Sequence, residues 1–261
     1  FKIGNILFAS FLIENNLDFN KAIGAFSNFC SLDPKIKIYP NSNSVRYLSG
    51  LLKNGTLLPN EASVVLTRTT HSIKDIYQME NPITMNQIRK LSSIEIDDKI
   101  NYLETLRSYP KCNEAIEEKI VNADIIIYGS GTPYSSILPS LETKDISRFI
   151  NENNAPKVMI ANLKKETNNF VNVSDLVEDL FKHLSRSVTK KINKKDLLTH
   201  LIVNDNVDDN FSDQSITFDA DNLKKKYSWL KVIQGNFADK SNPSAHNGAK
   251  VFKALVSIMN E

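Results

Sequence analysis

The chain has little sulfur, few glycines and no long apolar run, and each scarcity closes off a class of protein. Two cysteines in 261 residues, Cys30 and Cys112, lie far apart and make neither a disulfide framework nor a metal motif. That suits a reducing cytosol, and a cytoplasmic location is expected. The apolar stretches fall well short of the roughly 20 residues that span a bilayer, so no membrane partner is expected. The opening FKIGNILFASFLIENN has no basic flank and no cleavage site of a signal peptide. An excess of one charge sign is missing as well. A net charge of +2 supplies no basic surface for nucleic acid, and none is expected as a partner. The densest basic run, Lys190 to Lys195, reads as a solvated loop. His71, His183, His200 and His246 have no metal-ligand spacing, and no nucleophile–base order emerges. No metal ligand and no catalytic residue is therefore assigned, and His246 reads as a cap-region residue ahead of the last helix.

What the chain does have is alternation. Ile3 to Asn15 follows a helical period, and Asp18 is placed to cap a second helix through Phe26. Lys35 to Tyr39 reads as a short strand. Val45 to Leu52, the turn Lys53-Asn54-Gly55-Thr56 and Leu57 onward read as a hairpin, because Asn-Gly supplies the positive φ of a tight turn. Ala62 to Leu66 reads as another strand, and 67–111 as a polar surface insert with helical pieces. Beyond it, strand patterns at Asp124–Tyr128, Lys157–Ala161, Leu198–Val203 and Leu230–Ile233 are separated by helical ones, among them Val173 to Ser185 capped by Ser174. Short unpatterned apolar strands between helices mean a parallel sheet buried on both faces. The expected fold is α/β: Rossmann-like and doubly wound, with a mainly parallel sheet, an added β-hairpin and a helical insert. Residues 1–261 are expected to form one nucleotide-binding domain.

In such a sheet, ligands bind outside the carboxyl ends of the strands, where strand order reverses. After Tyr128 the chain runs GSGTPYSS. Gly129 and Gly131 let the backbone approach an anion, and the hydroxyls of Thr132, Tyr134, Ser135 and Ser136 are placed to donate to phosphate oxygens. A helix starting near Ser135 would add its free N–H groups. The third glycine of a dinucleotide fingerprint and the Lys-Ser/Thr of a P-loop are both absent. After Ala161, Asn162 is placed to read a base or sugar edge, Glu166 to accept from sugar hydroxyls, and Thr167 lies nearby. The acidic NDNVDDN after Val203 lacks the glycine and spaced glutamate of a calcium loop.

Several segments in the same order carry a family resemblance. ADIIIYGSGTPYSSILPSL and KVMIANLKKETNNFVNVSDLVEDL resemble consecutive strand–loop–helix units of the family containing 2-phospho-L-lactate transferase and the bacterial gluconeogenesis factor. LSGLLKNGTLLPNEASVV is similar to that family's hairpin, and GNILFAS to a Gly-Asn helix start, which would bring Gly4 and Asn5 to the same mouth. The resemblance implies a nucleotide or nucleotide-sugar ligand, and either a transferase of phosphorus-containing groups or a non-catalytic regulator. Thr132-Pro133 departs from the family's usual Ser-Leu. The resemblance further implies a first strand, a glycine-rich loop and a metal-holding acid before Phe1, so an amino-terminal part is expected to be missing. No cofactor is then expected in this chain, and magnesium only through those upstream residues. A homodimer stays open.

Overall fold

The computed structural model describes residues 3–67, 71–165, 172–186, 188, 192–205 and 215–261. Two helices open it, α1 (Ile3–Glu14) and α2 (Phe19–Phe29), the second capped by the Asp18 side chain as expected. They meet through Phe8, Phe11, Phe26 and Phe29. Although α1 is apolar on all sides, none of its residues is buried.

The hairpin follows, β1 (Tyr47–Leu52) and β2 (Leu57–Leu58), turning at Gly55 with φ of 83°. An L-residue in that region costs about 1–2 kcal/mol. Gly55→Ala is expected to lower the unfolding free energy by that amount, read as a lower urea midpoint, and an unchanged midpoint would mean that the turn is not under conformational control.

Three expectations are corrected here. Lys35 to Tyr39 forms no strand. Ala62 to Leu66 lies in a helix, α3 (Glu61–Leu66), because Asn60 and Ser63 close a reciprocal capping box that a β-branched run alone does not reveal. The stretch 67–111 is not merely a surface addition. It carries β3 (Ile73–Met79), buried along most of its length and paired antiparallel with β1, where an amphipathic helical piece is expected. The expected helical piece over Pro82 to Leu91 is α4 (Met85–Ser92), and a further helix, α5 (Ile96–Leu106), follows.

The remainder alternates: α6 (Glu117–Val121), β4 (Ile126–Tyr128), α7 (Leu138–Leu141), α8 (Ile146–Glu152), β5 (Lys157–Ile160), α9 (Val173–Arg186), β6 (His200–Asn204), α10 (Ala220–Lys226), β7 (Lys231–Gly235) and α11 (Gly248–Met259). Asn172, not Ser174, caps α9 by accepting from the Asp175 N–H, and Ser174 is buried within the helix.

The four last strands form a parallel sheet in chain order, β4-β5-β6-β7, beside the antiparallel β2-β1-β3. Alternate side chains divide the parallel sheet's two faces. Met159, Ala161, Leu201 and Val203 join α7, α8, α9 and the antiparallel sheet in one core, whereas Val158 and Ile202 meet Val251 and Ile258 of α11. Helices on both faces bear out the α/β reading. The expected reversal of strand order does not occur among the described strands. On the edge strand β4, Ile127 is 43% exposed.

Candidate functional site

The carboxyl ends of β4 and β5 open into a cavity of about 500 Å³ lined by Ser130, Asn162, Leu163, Lys164, Lys165 and Ser244 to His246. Three loops build it. The first leaves β4 after Tyr128, whose hydroxyl is anchored deep in the core on the Leu197 carbonyl at 2.7 Å. The second leaves β5. The third runs from β7 to α11 and folds back over the strand ends. Its turn is held by Asp239, which accepts from Ser241 and Asn242, and Asn247 then caps α11 by accepting from the Lys250 N–H.

Cross-links fix the three loops to one another. Asn162 Nδ2 donates to the carbonyls of Ser130 and Gly131 at 3.3 and 3.4 Å. His246 Nε2 lies 3.2 Å from the Ala161 carbonyl, and its Nδ1 lies 3.3 Å from Ser130 Oγ. Burial pushes the His246 ring below the usual histidine range, with the hydrogen bond to Ala161 opposing. A polar cavity at the tips of two parallel strands, with two lysines in its wall, suits an anionic ligand carrying hydrogen-bonding groups.

The structure separates the predicted residues into groups. Asn162 lines the cavity, and the exposed Gly129, Gly131 and Thr132 flank Ser130. Tyr134 turns away: it is buried, and its hydroxyl donates to Asp179 of α9 at 2.8 Å. Burial first, and the Asp179 carboxylate second, push that phenol far above its ordinary range. Ser135 and Ser136 stand in a π-helical turn, Pro133–Ile137, and do not line the cavity. That turn also corrects the expected helix start. The amides of Ser136 and Ile137 bond to the Thr132 carbonyl at 3.0 and 3.3 Å and are not offered to a ligand. Gly4 and Asn5 are exposed on the first turn of α1, and neither lines the cavity. Glu166 and Thr167 lie outside the described residues, as does most of NDNVDDN.

Sequence reasoning missed Lys164, Lys165 and His246 as wall residues. The lysine pair was legible as the two positions after the Asn162-Leu163 strand end. His246 was not, because only the fold brings a residue 116 positions away to Ser130. No group of three or more His, Cys, Asp or Glu residues suited to a metal occurs among the described residues. Nor is any described helix long and apolar enough to cross a membrane.

Comparison with known proteins places these features in context. The family model described as 2-phospho-L-lactate transferase CofD matches residues 2–238. Because that match begins at residue 2, it lends no support to the expected missing amino-terminal part. Two curated relatives are both called gluconeogenesis factor. The Listeria monocytogenes protein is 40% identical over 60 residues, 23% of this chain and 17% of its own length. The Halalkalibacterium halodurans protein is 27% identical over 161 residues, 62% of this chain and 40% of its own length. The chain thus spans less than half the length of the curated relatives it matches. In structure it is similar to protein BH3568 from Bacillus halodurans, with a TM-score of 0.73 at 21% identity, covering 98% of this chain and 72% of the other. A second crystal structure of that protein gives 0.72 at the same identity and coverage. That likeness concerns the fold.

Proposed function

We propose, from the premise that this chain belongs to the 2-phospho-L-lactate transferase CofD family, that its cavity holds the diphosphate of a nucleotide-sugar type ligand. The observation that carries the reading is the convergence of Ser130, Asn162, Lys164 and Lys165 on one space at the tips of β4 and β5. Lysines neutralise a diphosphate. A hydroxyl and an amide donate to its oxygens or to sugar groups beyond it. In this reading Gly129 and Gly131 keep the approach to the backbone open.

The first reading is binding without turnover, a regulatory use of the site, which goes with the resemblance to the gluconeogenesis factors. The family description favours a second reading, transfer of a phosphorus-containing group from a nucleotide-activated donor. Thermal unfolding with uridine and guanosine diphosphates and their sugar adducts tests the shared core. A ligand at about 100 times its dissociation constant adds about 2.7 kcal/mol to stability. A rise in unfolding temperature with at least one of them is expected, and no response to any would reject the site. Phosphorus NMR of the responding ligand, incubated with an alcohol acceptor, separates the two readings. An unchanged diphosphate signal supports binding alone, and a new phosphodiester signal supports transfer.

A further inference from the structure

We propose that His246 positions the Ser130 hydroxyl of this cavity, turning it toward the ring when neutral and releasing it to the ligand when protonated. Diphosphate binding then tightens as pH falls. The inference rests on the reading of the cavity as an anion site.

The hydrogen-bond pattern fixes the tautomer. A carbonyl oxygen only accepts, so the contact with Ala161 requires a proton on His246 Nε2. In the neutral ring Nδ1 is then bare, and Ser130 Oγ must donate to it. The hydroxyl proton is then engaged by the imidazole and is not offered to a ligand. Adding one proton to Nδ1 reverses the bond. The ring now donates to Ser130 Oγ, whose own proton is free to turn into the cavity. The same event places a positive charge in a wall that already holds Lys164 and Lys165. A protonated His246 therefore offers an anion one more donor and one more charge.

Burial of the ring raises the cost of that charge while the cavity is empty. A bound diphosphate offsets that cost by placing negative charge beside the protonated ring. On the remaining sides, Asp239 is occupied within its own turn and Lys250 Nζ donates to the Ala238 carbonyl at 3.4 Å. By linkage, an anion that prefers the protonated ring must raise the ring's proton affinity to the same extent.

Calorimetric titration with uridine diphosphate glucose, from about pH 8 to about pH 5.5, reads this directly, because its diphosphate diester keeps its charge across the histidine range. Affinity should rise as pH falls, by roughly tenfold for each unit that the ligand raises the ring's pKa. His246→Gln keeps a side-chain amide for Ala161 and should bind with no such slope. A wild-type profile that is flat, or a slope retained in His246→Gln, would overturn the inference while leaving the site standing. No binding by either protein at any pH would overturn the reading of the cavity itself. Should the variant not fold, the His246 ring titration in the wild-type protein replaces it. An upward move of its midpoint with ligand is expected, and an unmoved midpoint would be contrary.

Discussion

Glu142→Ala is expected to lower the stability of the fold by about 3–5 kcal/mol, the cost of breaking a buried ion pair from one side. Glu142 follows α7 and is fully buried. Its Oε1 accepts from Arg107 at 3.2 Å, from Arg186 at 2.9 Å and from His183 Nδ1 at 2.8 Å. Arg186 also bonds Asp75 of β3. Removing the Glu142 carboxylate takes the fully buried anion away from two guanidinium groups and leaves Arg186 with Asp75 and Arg107 with Glu104. Glu152, whose pair with Arg148 is exposed, provides the contrast. Its alanine variant should change stability by no more than about 1 kcal/mol. Urea unfolding of the two variants compares them, and equal losses would contradict the account of the cluster.

The same cluster sets a pH limit. Burial alone would raise the Glu142 carboxyl, but the His183 hydrogen bond and the charges of Arg107 and Arg186 outweigh it and hold the group below its ordinary value. Asp75 is likewise held low against its burial, by Arg186 first and by Lys182 and His183 after it. A carboxyl depressed by folding contributes stability that is fully present above its unfolded pKa of about 4 and is lost as pH falls through the folded value. Acid unfolding should therefore begin below about pH 4, and it should be blunted in the Glu142 variant.

Gly129→Val should abolish ligand-induced stabilisation while leaving the free protein folded. A Cβ built at Gly129 meets nothing within 4 Å, and its φ lies outside the left-handed region. At Gly131 a Cβ would come within 3.1 Å of Ile137 Cδ1, so substitution there disturbs the π-helical turn as well as the approach to the cavity. Gly129 is thus the cleaner probe of whether bare backbone is needed beside Ser130. Thermal unfolding should show the variant within about 1 kcal/mol of wild type without ligand. At a saturating concentration that gives the wild-type protein about 2.7 kcal/mol, it should gain nothing. An undiminished gain would remove the loop from the site.

The parallel sheet was legible because apolar runs such as Ile125–Tyr128 and Val158–Ala161 are short, unpatterned and bounded by turn residues. The hairpin was legible through Asn54-Gly55. What the pattern hid was set by distant partners. Ile73 to Met79 reads as a short amphipathic piece of a surface insert, since Lys74, Asp75 and Gln78 interrupt its apolar residues. The fold buries Asp75 and Gln78 against Arg186, Pro139 and Glu142, which a local reading cannot foresee. Ala62 to Leu66 was misread because β-branched valines favour strands while the capping box of Asn60 and Ser63 overrides them. At the cavity, the strand-end rule led to Asn162, which lines it, and to the glycine loop, of which Ser130 lines it. It placed Tyr134 wrongly, since a tyrosine that follows a loop can equally well enter the core. It passed over His246, whose place beside Ser130 depends on a loop that crosses the strand ends.

The central claim is that the space between the loops after β4 and β5 receives a diphosphate, and a structure of the protein with uridine diphosphate glucose tests it most directly. Phosphate oxygens within hydrogen-bonding reach of Ser130, Asn162 and one of the two wall lysines are predicted. A ligand seated elsewhere, with that space left to solvent, would contradict it.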